Sequence, residues 1–250
     1  MYPLWNALRQ AKDLRWIELS HPLDNDSPYW AGIPQGSVEL GTVVYDWGNP
    51  MLDCLIQTFR FPGQFGTHID FPGHFIKSGQ LSQAYGVRDM AFPLCVIDVT
   101  AQVTQNPCYA VTVDDLKAYE DKYGPIPQGA FVALYTGWSS RWPDMDALSG
   151  LAEDGSENFP GWSLEALKYI YEVRDAAANG HETLDTDASV LAAQAGDLAC
   201  ERYVLDKGKL QIEVMCNLDQ VPPAGAVLIA AWPNIKGATG LPVRVWAVAP

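Results

Sequence analysis

The chain holds only four histidines, and two of them, His68 and His74, fall in one short window together with Asp70. His68 and Asp70 are two positions apart, so in extended backbone both side chains project to one face. An imidazole and a carboxylate presented in this way form a ready pair of ligands for a divalent metal ion. The window reads Pro62-Gly63-Gln64-Phe65-Gly66-Thr67-His68-Ile69-Asp70-Phe71-Pro72-Gly73-His74-Phe75. Its glycines and prolines shape the backbone tightly, as a loop requires when several side chains converge. Gln64 and His74 add two polar groups, and Thr67 is suited to fix the ligands' surroundings by hydrogen bonding. The competing reading is a plain surface hydrogen bond between His68 and Asp70. Spacing alone leaves both open.

Elements must position these groups. Apolar and β-branched stretches at 16–19, 38–45, 52–61, 95–99, 131–135, 210–215, 226–232 and 243–248 predict strands. Thr112 with Asp115 three residues on predicts a capped helix over 113–123, stopped by Gly124-Pro125. Ser163 is expected to cap a helix running to about Ala177, and a weaker helical pattern covers 197–205. Strands outnumber helices, which predicts an α/β domain with a largely β core. No linker or repeat divides the chain, so residues 1–250 are read as one domain. The loop-rich stretches are 24–35, 62–80, 138–162 and 233–240, and loops of such length often carry function.

Composition narrows the function. The 250 residues carry a formal charge of −14, which argues against nucleic acid and against an anionic membrane surface as partners. No apolar run reaches the ~18 residues of a spanning helix. The five cysteines are scattered, with no Cys-x-x-Cys pair, and their mostly apolar settings predict buried thiols in a reducing, cytoplasmic setting.

The histidine window resembles the signature of the cyclase-type metal-dependent hydrolases, the family of bacterial kynurenine formamidase and isatin hydrolase. That signature reads His-x-Gly-Thr-His-x-Asp-x-Pro-x-His. Gly66, Thr67, His68, Asp70, Pro72 and His74 match it in register, and Gln64 stands where the first His is found. The resemblance extends over Glu18-Leu19-Ser20-His21-Pro22-Leu23, Tyr135-Thr136-Gly137-Trp138, Asn217-Leu218 and Pro242-x-Arg244, which is nearly the whole chain. It implies a swivelling β/β/α fold in a homo-oligomer, a dimer or tetramer.

It also implies a second ligand pair, a His and a Glu twelve residues apart. Glu201 and Glu213 meet that spacing here, with Glu in place of the His. The alternatives are a solvated Glu201 on its helix, and a Glu213 at a strand end paired with Lys207 or Lys209. The implied metal set is therefore Gln64, His68, Asp70, Glu201 and Glu213, holding one or two divalent ions. With a single imidazole among many oxygens, manganese is expected before zinc.

His74 takes the general acid/base role that the family gives to the last motif His, and an imidazole suits proton transfer near neutral pH. The implied reaction is hydrolysis of an amide, formamide, lactam or lactone carbonyl in a small aromatic substrate. A polyketide-type cyclase or dehydratase, and a non-catalytic metal-binding module, are the other readings. His181 is a lesser candidate for touching the pocket, and His21 is expected to close a strand structurally. Trp30, Phe65, Phe71 and Phe75 are candidates for an apolar pocket wall.

Overall fold

Side-chain alternation along His68–Asp70 is realised in a nine-stranded sheet. The computed structural model describes residues 2–250. The strand order is Arg15–Glu18, Arg244–Ala249, Ala226–Ala231, Ala91–Asp98, Phe131–Tyr135, Ala178–His181, Leu210–Glu213, His68–Asp70, Gly240–Pro242. The four strands from Ala91–Asp98 to Leu210–Glu213 are mutually parallel, and every other pairing is antiparallel.

The parallel centre explains the unbroken apolar run Phe131-Val132-Ala133-Leu134, because both faces of such a strand are covered. Phe131 and Ala133 enter one core, within the curl of the sheet. Val132 and Leu134 enter the other, beneath the helices Val113–Tyr123, Leu164–Lys168 and Ala199–Asp206. This is the α/β arrangement on a largely β core that the sequence predicts.

The helix over Val113–Tyr123 has its expected cap: the Asp115 amide donates to Thr112 Oγ1 at 3.2 Å, and the Thr112 amide donates to Asp115 Oδ2 at 2.8 Å. The Ser163-capped helix is shorter than expected. It runs over Leu164–Lys168, widens into one π-helical stretch at Tyr169–Val173, and stops. Asp175 adopts φ 52°, and the Ala177 amide then bonds to the Ala130 carbonyl, so the chain joins the sheet.

Ala178–His181 is a central strand that its Asn-Gly-His composition conceals. A Cβ on Gly180 would come within 2.6 Å of the Phe131 ring and 2.8 Å of the Ile212 carbonyl, so only glycine fits between these neighbours. The helices Pro3–Lys12 and Ser189–Ala195 also went unpredicted. Cys95, Cys200 and Cys216 are buried as expected, Cys54 and Cys108 are half-buried, and all five are free thiols. No helix among the described residues is long and apolar enough to cross a membrane.

Candidate active site

Sheet register assembles the first half of the site. Glu213 lies opposite His68 and Gln211 opposite Asp70, on adjacent antiparallel strands. Alternation sends these four side chains to one face, while Ile69 and Ile212 between them enter the core. His68 Nδ1 donates to the Gly66 carbonyl at 2.8 Å, which leaves Nε2 free as a ligand. That nitrogen lies 3.3 Å from Glu213 Oε2 and 3.5 Å from Asp70 Oδ2. Thr67 ties the strand down by accepting the His21 amide at 2.9 Å and donating to the Val214 carbonyl at 2.6 Å.

The second half comes from a turn and a helix. A 3-10 turn at Pro72–His74 carries His74 back over the strand, to 3.8 Å between its Nε2 and Glu201 Oε1. Glu201 sits in the first turn of the helix Ala199–Asp206. Asp187 fixes that turn by accepting the Cys200 and Glu201 amides at 2.8 and 3.0 Å. Two groups that could hold a metal ion result, His68–Asp70–Glu213 and Asp70–His74–Glu201. Within each, the ligand atoms lie within 4.8 Å of one another, and Asp70 is common to both.

The electrostatics suit a cation. Burial pushes the Glu201 carboxyl well above its usual range, and Glu213 and Asp70 push it further. Burial also acts to raise Asp70, but the facing His68 outweighs it and holds that carboxyl down at about 2. For His68 itself, burial opposes the charge and Asp70 and Glu213 overcome that opposition. Three buried carboxyl groups thus converge on only two imidazoles, so acidic groups outnumber the bases that face them. A divalent ion bound by these oxygens and nitrogens would relieve that imbalance, so the donor set fits one.

Most expected residues gather here. Glu201 is buried, not solvated. Glu213 is not paired with a lysine, because Lys207 reaches Glu172 at 2.9 Å and Lys209 reaches the Ala176 carbonyl at 2.7 Å. Gln64 donates its amide to Asp70 Oδ1 at 3.0 Å and also faces the cavity.

His181 is fully buried behind Glu213, with its Nε2 3.5 Å from Glu213 Oε1. It buttresses the carboxylate and does not line the cavity. His21 closes its strand through its backbone amide, while its ring stacks on Trp142 at 4.5 Å. Two expected wall residues are corrected: Phe65 and Phe71 are fully buried in side-chain packing, Phe65 against Phe61 and Phe71 against Tyr85 and Trp232.

Sequence reasoning missed Gln211. Its Nε2 donates to Glu213 Oε1 at 3.0 Å and to Asp70 Oδ2 at 3.2 Å, and its Oε1 accepts the Thr186 hydroxyl at 2.7 Å. The available signal was its position two residues before Glu213, which puts both on one face. Gly240 was missed as well. It pairs with Asp70 from the other side, and a Cβ there would overlap the Gln64 amide and approach Asp70 Oδ1 to 2.8 Å. Gly240→Ala is therefore expected to push Gln64 off Asp70 and weaken metal binding by about 10- to 100-fold. Competition with a calibrated chelator measures this, and an unchanged affinity would show that Gln64 does not orient Asp70.

The ligand groups open into a cavity of about 490 Å³, whose apolar walls include Tyr29, Trp30, Phe75, Trp142, Met145 and Leu198. Trp142 and Met145 belong to the 138–162 stretch, so this segment forms part of the wall. A volume of this size suits a small organic molecule.

Comparisons with known proteins agree with this geometry. Residues 17–188 match the Cyclase family model, described as "Putative cyclase". An isatin hydrolase of Roseibium aggregatum is 29% identical over 189 residues, covering 74% of this chain and 71% of that protein. A kynurenine formamidase of Bacillus cereus is 24% identical over 236 residues, covering 93% and 97%. Among solved structures, isatin hydrolase A from Labrenzia aggregata superposes with a TM-score of 0.87 at 28% identity, over 98% of this chain and 99% of that one. Isatin hydrolase A from Ralstonia solanacearum gives 0.84 at 29% identity, over 99% and 97%.

Proposed function

Because the chain belongs to the Cyclase family, we propose that it is a metal-dependent hydrolase that cleaves the amide, formamide or lactam bond of a small aromatic substrate. The observation that carries this reading is the cluster of His68, His74, Glu201 and Glu213 on one aromatic-walled cavity, with Asp70 buried behind them and common to both groups.

His68, Asp70 and Glu213 would hold one divalent ion, with Gln64 and Gln211 orienting Asp70. Asp70, His74 and Glu201 offer a second set. Such an ion supplies polarisation of the carbonyl and a more acidic water. The chain's residues do the rest. His74 is the more open of the two site imidazoles, its side chain 30% exposed against 7% for His68. Its Nε2 is the atom that takes a proton from the attacking water and returns it to the leaving nitrogen. Glu201 lies beside it, with Oε1 3.8 Å from that nitrogen. The aromatic walls exclude bulk water and stack against a planar substrate.

The test is turnover by protein stripped with chelator and reloaded with a single metal, assayed on isatin, on N-formylkynurenine and on an aromatic lactone. Metal-loaded protein that hydrolyses none of them would overturn the reading. Manganese is expected to support the highest rate and zinc little, because oxygens dominate the donor set. Side-by-side reloading measures this, and zinc outperforming manganese would show that ligand hardness does not govern the site.

A homo-oligomer is part of the proposal. The helix Pro3–Lys12 buries no residue, and the hairpin Glu39–Tyr45 with Ile56–Arg60 leaves Val43, Ile56 and Phe59 exposed. Solution scattering reads this directly, and a monodisperse monomer would refute it. The free thiols fit a reducing, cytoplasmic setting.

A further inference from the structure

Residues 182–187 carry three carboxylates with three different fates. Glu182 accepts four hydrogen bonds, from the Thr136 amide and hydroxyl, the Trp138 amide and the Ser139 hydroxyl, at 2.8 to 3.1 Å. Asp187 caps the helix that bears Glu201. Asp185 does neither. Thr183 donates to its backbone carbonyl at 3.1 Å, but its side-chain carboxyl has no hydrogen bond or ion pair among the described residues. It lines the cavity, as do Leu184, Leu198 and Val214, and belongs to neither ligand group.

The Asp185 side chain is half-buried at the cavity wall, and a carboxyl partly withdrawn from water without a protein partner is left to bond with whatever fills the cavity. Burial first, then the charge of Glu213, pushes this one up to about 8. Local rules broken in this way point to a group kept for a ligand. Its position narrows what that ligand presents. Asp185 lines the same cavity as His68, His74, Glu201 and Glu213. In a secondary amide or lactam, the nitrogen that bears the hydrogen is bonded directly to the carbonyl carbon. A group that meets the N–H must therefore sit beside the cluster that meets the carbonyl. Ionised or neutral, a carboxyl retains an oxygen that accepts from N–H.

We propose that the Asp185 carboxyl accepts the N–H of the scissile amide or lactam, and so selects substrates whose leaving nitrogen carries a hydrogen. This rests on the hydrolase reading above and names the substrate feature that the same site recognises. The N–H lies in the amide plane and points to Asp185, whereas the nitrogen is protonated from above that plane, so the contact leaves His74 unobstructed.

The experiment compares isatin with N-methylisatin on manganese-loaded protein, by turnover and by quenching of the tryptophan fluorescence on binding. Unmodified protein is expected to favour the N–H compound by about 10- to 100-fold in kcat/KM and in binding. Asp185→Asn keeps an acceptor and should retain most of that ratio. Asp185→Leu fills similar space without an acceptor and should bring the ratio close to one, with metal content unchanged in both variants.

An unmodified protein that treats the two compounds alike overturns the proposal, whatever the variants do. So does a ratio that survives in Asp185→Leu, or a loss of metal there, which would make Asp185 a ligand. Binding without turnover by the unmodified protein overturns only the hydrolase reading, and the ratio of binding constants then decides the role of Asp185. Failure of both compounds to bind overturns the two together.

Discussion

Asp70→Asn is expected to leave the chain folded, empty of metal and slower by ~10³-fold or more in kcat/KM. No other residue belongs to both ligand groups. Both of its oxygens are also held in place, Oδ1 by Gln64 and Oδ2 by Gln211 and His68. The substitution keeps size and shape but exchanges an anionic oxygen for an amide, which is a far weaker partner for a divalent ion. The fold should survive because the strand is anchored by neighbours that the change does not touch, with Ile69 in the core and Thr67 bonded to residues 21 and 214. Metal per chain by mass spectrometry, circular dichroism and turnover together test this. A variant that retains its full complement of metal would show that the ion is held elsewhere.

His74→Ala separates two roles that the geometry offers to one imidazole. If His74 moves the proton, its removal should lower kcat by ~10²–10⁴-fold while metal content holds. If it is instead an obligatory ligand beside Asp70 and Glu201, metal content falls in step with activity. The greater exposure of His74 favours the first outcome. Added imidazole should then restore part of the rate, since the cavity opens beside the vacated ring position. Loss of metal with unchanged activity per bound ion would overturn the proton-transfer role.

The sequence made the first half of this site legible because a strand's period of two is simple. His68 and Asp70 had to share a face, and Glu213 sat in a run that reads as a strand. Glu201 was found through family spacing, since nothing in its own segment marks it as buried. The helix bearing it turns inward because Asp187, fourteen positions earlier, holds its first amides, and a long-range cap leaves no local pattern. Gln211 hid for the opposite reason: a glutamine in an apolar strand reads as an ordinary solvent-facing residue until its cross-strand partner is known. Ala178–His181 was invisible because its strand character comes from the two parallel neighbours that enclose it, not from propensity.

The pairing of Glu213 with His68 also bears on when the centre comes into being. The two residues face each other across adjacent strands, yet 144 residues lie between them along the chain. Glycine 240, which leaves space beside Asp70, comes later still. During synthesis, the motif around His68 emerges long before any residue that completes it. A nascent chain stopped short of Glu213 offers an incoming ion only the loose half-site of the motif. Loading at the proposed site would therefore follow closure of the long loop between these strands, a slow and non-local event in folding. Register adds a safeguard, because a slip of one residue would turn Gln211 and Glu213 to the opposite face. With the ion held as proposed, metal acquisition would report on completed folding, because only the finished sheet brings these residues together.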